Sequence, residues 1–187
     1  LKAFRSYFVA IAFIIAAGVV GIAVFVAGVS SVTSGMPFNR IHTEAGPGAA
    51  GLLADEEVEL AASPARTWAV IKDFQRWQTW HPAFVSTEIT KGGGNAKGTV
   101  RVLATKDGAK FNEELLMHDA TSRSYQYRII ESPLPISGYV STIEVKESKL
   151  GSRVVWSSNF TVNPGASDEA MKKTIAGVYR AGLDSLK

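Results

Sequence analysis

From Asp55 to Val162 the chain alternates apolar and polar positions in seven short runs. The first, "DEEVELAA", sets Val58 and Leu60 against Glu57 and Glu59, a period of two that buries one face and wets the other. "FVSTEIT", "TVRVLAT", "AKFNEELLMH", "SYQYRIIE", "YVSTIEVKE" and "RVVWSSNFTV" repeat the pattern. The connections between the last six runs are short and rich in turn formers, which makes neighbouring strands antiparallel. Two helical stretches follow the first strand. Ser63 and Pro64 start "PARTWAVIKDF", with Trp68, Ile71 and Phe74 on one face, and "QRWQTWHP" reads as a second short helix ended by Pro82. Near the C-terminus the period changes to that of a helix, from about Ser167 to Leu186. Ser167 caps it, and Asp168 and Glu169 complement the positive end of its dipole. Met171, Ile175, Val178 or Tyr179, Gly182 and Leu186 form the inner stripe, while Lys172, Lys173 and Arg180 point away. The order predicts an α+β domain: a seven-stranded antiparallel sheet, two short helices and one long helix lying across the sheet.

The N-terminal part has a different texture. Residues 7–29, "YFVAIAFIIAAGVVGIAVFVAGV", carry no charge. As a helix they span roughly 35 Å, enough to cross the hydrocarbon core of a bilayer. A cleaved secretory signal has a shorter apolar region, and Ala27-Gly28-Val29 is a poor cleavage site. Residues 1–30 are therefore expected to be an uncleaved, single-pass anchor. Lys2 and Arg5 precede the span and only Arg40 follows it closely, which places the C-terminal bulk outside the cytoplasm. Residues 31–54, rich in Gly, Ala, Ser and Pro, read as a flexible linker, with the domain proper at 55–187.

Charge and composition narrow the function classes. The chain has 20 basic and 17 acidic residues, and two of the basic ones lie ahead of the uncharged span. The remaining near-balance is no footprint for nucleic acid. Absence of cysteine removes disulfides, thiolate metal sites and a Cys nucleophile. His42, His81 and His118 are far apart, without a paired-histidine metal motif, so no metal or other cofactor is expected. "GGNAKG" (93–98) mimics a phosphate loop but has Thr99 in place of the lysine and is flanked by strands. No nucleophile elbow is present.

The element order and several stretches resemble the START/Bet v 1-like (SRPBCC) superfamily, and within it the bacterial polyketide cyclase/dehydrase branch, including methanol-oxidation accessory proteins. The resemblance is carried by "ASPARTWAVIKDFQRWQTWHP", "NEELLMHDATSRSYQYRIIESPLPISGY", "STIEVKE", "SRVVWSSNF" and "VYRAGLDSLK", over about residues 56–187. It implies a helix-grip fold, in which a curved sheet grips the C-terminal helix around a cavity. It also implies a bacterial inner-membrane setting, with the domain in the periplasm or another extracytoplasmic space. On that fold "RWQTWHPAF" (76–84) would sit at the cavity rim.

Strand alternation then sorts side chains by face. Phe111, Glu113, Leu115 and Met117 are assigned inward, with Glu114 and His118 outward. Tyr125, Tyr127 and Ile129 line the next strand, Tyr139, Ser141 and Ile143 another, and Val154, Trp156, Ser158 and Phe160 the last. Val100 and Val102 complete the floor. The expected ligand-contacting set is Trp77, Trp80, His81, Phe84, Phe111, Glu113, Tyr125, Tyr127, Tyr139, Trp156 and Tyr179. Three tyrosine hydroxyls facing one interior need water, a ligand or one another. Glu113 among apolar neighbours needs a partner, such as an inward Arg or Tyr, or a raised pKa. His81 reads either as a capping residue or as an acid/base at the rim. "SPLPISG" (132–138) is either a rigid connection or a lid.

Three functions fit these readings. The first is a membrane-anchored, extracytoplasmic binding protein for a hydrophobic small molecule or lipid. The second is an accessory subunit of a membrane or periplasmic dehydrogenase or electron-transfer complex. The third is a cyclase or dehydratase using Glu113 and His81, which requires both side chains to reach one ligand-sized space.

Overall fold

A computed structural model of the chain describes residues 51–187. The membrane span expected at 7–29 and nearly all of the linker expected at 31–54 lie outside the described residues. Among the described residues no helix is long and apolar enough to cross a membrane.

The elements run β1 (Leu52–Leu60), α1 (Pro64–Ile71), a 3-10 turn (Trp77–Thr79), β2 (Phe84–Lys91), β3 (Val100–Thr105), β4 (Lys110–Asp119), β5 (Ser124–Glu131), β6 (Ile136–Ser148), β7 (Gly151–Val162) and α2 (Asp168–Asp184). The seven strands form one antiparallel sheet in the order β1-β7-β6-β5-β4-β3-β2. Every neighbour except β1–β7 is also a neighbour in sequence, as short connections require. The long excursion through α1 and the 3-10 turn carries the chain from one edge of the sheet to the other. Register shifts in β2, β4 and β6 bend and twist the strands into a curved sheet.

α1 begins at Pro64 behind Ser63, which has the extended backbone of an N-cap but makes no side-chain capping bond. It buries Thr67, Trp68 and Ile71, and the Thr67 hydroxyl meets that of Ser152 on β7 at 2.8 Å. The second helix expected over "QRWQTWHP" is only a single 3-10 turn. The N–H groups of Trp80 and His81 both donate to the Trp77 carbonyl, and Pro82 then prevents continuation. α2 is capped as expected, with the Ala170 N–H donating to Ser167 Oγ at 3.3 Å. Its buried stripe is Met171, Ile175, Tyr179, Gly182 and Leu183. Gly182 lets the helix come down on two rings. A Cβ there would lie 2.5 Å from His81 Cδ2 and 3.0 Å from Trp156 Cζ3. Arg180, expected to point away, instead lies along β1. Its Nε donates to Glu56 Oε2 at 3.1 Å and its Nη2 to the Glu57 carbonyl at 2.9 Å.

Two faces differ from the alternation reading. β4 shifts register between Leu115 and Met117. The extra residue turns Met117 out to 40% exposure and swings His118 inward, 5.2 Å from Trp68 and stacked on Tyr125. Its Nε2 lies 2.9 Å from the Lys72 carbonyl, so a ring N–H there donates to it. On β3 the inward set is Arg101, Leu103 and Thr105, not Val100 and Val102. Val102 is half-buried, and Val100, though buried, alternates with Arg101 and so faces the other way.

Candidate functional site

The interior between sheet and α2 is an aromatic cluster. Trp77 sits at its centre, 1% exposed, edge-on to Trp156 (5.2 Å, 86°) and Tyr127 (5.4 Å, 86°) and parallel to His81 (5.8 Å, 2°). Trp156 stacks on Tyr179 of α2 at 4.4 Å. Trp77, Trp80, His81 and Phe84 of the "RWQTWHPAF" stretch are thus buried in the core, while Arg76, Gln78 and Thr79 are exposed.

The tyrosine hydroxyls find partners within the cluster. Trp77 Nε1 donates to Tyr125 OH at 3.1 Å. Trp156 Nε1 donates to both Tyr127 OH (3.2 Å) and Ser141 Oγ (3.0 Å), and Ser141 donates on to the Ser157 carbonyl. Tyr139 and Tyr179 share a 2.5 Å hydrogen bond. Burial holds all four phenols above their ordinary pKa, so they stay protonated donors.

Glu113 has the partner that its apolar surroundings demand. Arg101, 0% exposed, stands directly opposite it in the β3–β4 ladder. Nε and Nη2 both donate to Glu113 Oε2, at 2.8 and 2.6 Å, and Nη1 donates to the Phe74 carbonyl at 2.6 Å. The guanidinium carbon lies 3.8 Å from the Phe74 ring centroid and 3.7 Å from that of Trp77, so two π faces also contact the charge. Burial pushes the Glu113 carboxyl up from its ordinary pKa, against the smaller opposing pull of Arg101's charge and hydrogen bonds.

His81 is 1% exposed, and both its nitrogens are engaged. The Ala83 N–H donates to Nδ1 at 3.2 Å, which leaves the ring proton on Nε2 to donate to the Val178 carbonyl of α2 at 3.1 Å. Burial lowers its pKa to about 3. It is a neutral staple between the 3-10 turn and α2.

One small apolar cavity of about 60 Å³ lies beside this cluster. Trp77, Phe84, Phe111, Glu113, Tyr127, Tyr139, Trp156 and Tyr179 border it, but Trp80, His81 and Tyr125 do not. Trp80 instead borders a groove of about 370 Å³ on another side, with Arg66, Val70 and Leu186. The cavity walls also include Thr105, Leu134 and Thr174, which sequence reading missed. Leu134 was within reach, since the "SPLPISG" loop carries it. Thr174 was not, because a polar residue at the edge of the apolar stripe, three after Met171, reads as its boundary. His81 does not border the space that Glu113 borders, and both its nitrogens are engaged elsewhere, so the geometry does not assemble the acid/base pair that the enzymatic reading needs. Among the described residues no cluster of His, Asp and Glu has metal-binding geometry.

Residues 53–187 match the family described as "Polyketide cyclase / dehydrase and lipid transport". No curated protein matches the chain. Among solved structures, a Bacillus thuringiensis protein is 34% identical, with a TM-score of 0.66, over 72% of this chain and 96% of its own. The protein XoxI of Bacillus cereus is also 34% identical, with a TM-score of 0.65, over 74% of this chain and 93% of its own. Ginseng major latex-like protein 151 from Panax ginseng is 12% identical, with a TM-score of 0.60, over 74% of this chain and 99% of its own. That last likeness is one of fold alone, the Bet v 1-like fold.

Proposed function

The chain belongs to the polyketide cyclase/dehydrase and lipid transport family, and we propose that it binds a hydrophobic small molecule or lipid between the sheet and α2. The observation that carries this reading is the cavity itself: aromatic and aliphatic walls with one carboxylate among them, the composition of a pocket that buries an apolar body and orients it by few polar groups. Its volume of about 60 Å³ is under half of the ~150 Å³ that holds benzene in an engineered apolar cavity. A ligand therefore enlarges the site by displacing its half-buried rim, Ala83, Phe111, Ile129, Leu134, Thr174 and Val178. The uncharged stretch at 7–29, with Lys2 and Arg5 before it, supports a single-pass membrane anchor that presents the domain outside the cytoplasm.

Native mass spectrometry of the full chain, gently extracted from its own membrane, tests the binding reading. The expected result is a retained apolar mass of a few hundred daltons, lost in Thr174→Trp, which fills the rim. A bare chain that also takes up no added apolar ligand would sink it. A second reading, an accessory subunit of a membrane or periplasmic complex in the manner of methanol-oxidation accessory proteins, draws on the likeness to XoxI. A second protein arriving in the same spectrum, with no small molecule, would favour it.

A further inference from the structure

The cavity has one open acceptor. Arg101 sends both of its carboxylate bonds to Glu113 Oε2 and its remaining bond to the Phe74 carbonyl. Among the described residues no hydrogen bond reaches Oε1. The side-chain polar atoms there that are both sealed from solvent and unpartnered are Trp80 Nε1, Asn112 Oδ1 and Ser158 Oγ. Oε1, unpartnered but not sealed, therefore touches open space, and the space that Glu113 borders is the cavity. Arg101 does not border it. Each other hydroxyl of the wall has a partner: Tyr139 pairs with Tyr179, Tyr127 accepts from Trp156 Nε1, Thr174 donates to the Ala170 carbonyl, and Thr105 donates to Asp107.

We propose that this site selects an uncharged apolar molecule carrying a hydroxyl, an alcohol or a phenol, whose O–H donates to Glu113 Oε1 while its apolar body lies against the aromatic and aliphatic wall. The inference rests on the binding reading and names its ligand class. Three head groups compete for the position. A carboxylate would place a second anion against Glu113 in a low-dielectric space that Arg101, already paired with Glu113, does not border. An ammonium would add a second cation to one carboxylate and leave a net buried charge. A hydroxyl keeps the Arg101–Glu113 pair neutral overall and adds a hydrogen bond to a charged acceptor, a stronger bond than one between neutral groups. Trp77, Tyr127, Trp156 and Glu113 belong to the buried part of the wall, and the half-buried part comes up to Glu113, since Ile129 stands directly opposite it in the β4–β5 ladder.

Three ligands that share one propylphenyl body separate the cases: 4-propylphenol, its methyl ether and 4-propylbenzoate. Each is titrated calorimetrically into the full chain in lipid nanodiscs at pH 8, with Thr174→Trp nanodiscs as the blank for partitioning. The phenol is expected to bind at least tenfold tighter than either of the others. Burial of apolar surface alone favours the ether, so that order cannot arise from hydrophobicity. Replacing the pair by neutral near-isosteres, Arg101→Gln with Glu113→Gln, is expected to reduce the preference for phenol over benzoate at least tenfold. The wild-type series stands even where that variant does not fold. Ether or benzoate binding as tightly as the phenol overturns the hydroxyl assignment and leaves the binding reading intact. No binding of any of the three removes the binding reading and the assignment with it.

Discussion

The residue with the largest consequences is Arg101. A fully buried guanidinium is tolerable only when its charge is met, and here Glu113, the Phe74 carbonyl and two ring faces meet it. Removing one partner strands the other. Arg101→Met or Glu113→Leu alone is expected to destabilise the domain by about 3–5 kcal/mol, and the double variant by clearly less than either, because no unpaired charge remains. Urea titrations of the three variants measure this, and losses that simply add would show that the two residues do not act as a unit. The alternation in "TVRVLAT" pointed the wrong way here, since two valines flanking an arginine make the valine face look like the inner one. The corrective signal was present in the sequence. The tight "KDG" turn closes a hairpin whose register sets Arg101 opposite Glu113, and a lone inward carboxylate calls for such a partner. Side-chain hydrophobicity lost to pairing.

At the scale of elements, α2 is held unevenly. Its C-terminal half is tied by His81 to the Val178 carbonyl, by Arg180 to Glu56 and the Glu57 carbonyl, and by Ser185 Oγ donating to the Trp80 carbonyl. The His81 tie is pH-sensitive. The folded ring has a pKa of about 3, whereas an unfolded one titrates near 6.5, so between these values the unfolded chain binds the extra proton. Stability therefore rises with pH through this window and falls as pH drops from about 6.5, by up to about 1.4 kcal/mol per unit. Between pH 6.5 and 5 the expected loss is about 2 kcal/mol, read from urea midpoints. His81→Gln is expected to flatten that slope. The acid-side loss from Asp119 and Asp184, whose pKa values lie below the ordinary range, comes at lower pH. Glu113 acts with the opposite sign and cancels in the comparison of the two proteins. An unchanged slope in the variant would refute the assignment. The existence of these elements was legible, because period-two runs between turn formers and one capped 3.6-period stretch have few other solutions. The bulge that exchanges Met117 for His118 was not, since one inserted residue leaves no compositional mark where Leu115, Leu116 and Met117 stand side by side.

For the whole molecule, the same asymmetry decides how a closed interior admits a ligand. The sheet order, antiparallel pairing and crossing helix follow from local pattern and short connections, and they were readable. The size of the space between them was not, because it depends on how eleven aromatic and polar side chains interlock, and several expected to surround a ligand instead satisfy one another. What remains is about 60 Å³, so binding requires motion, and the ties locate it. Among the described residues, the stretch Met171–Thr174 makes no hydrogen bond to the sheet, and it is held by the burial of Met171 and Ile175. Apolar contacts yield to an apolar ligand that replaces them, whereas the hydrogen-bonded ion pair and the buried staple at the other end do not. The N-terminal half of α2 should therefore swing from a hinge near Val178, away from Leu134. Hydrogen–deuterium exchange checks this. Amides of residues 171–176 are expected to exchange faster than those of 179–184 in the free protein, and to slow when 4-propylphenol is bound. Uniform protection along the helix, with no response to ligand, would mean that the interior stays shut and that the aromatic cluster is a packed core.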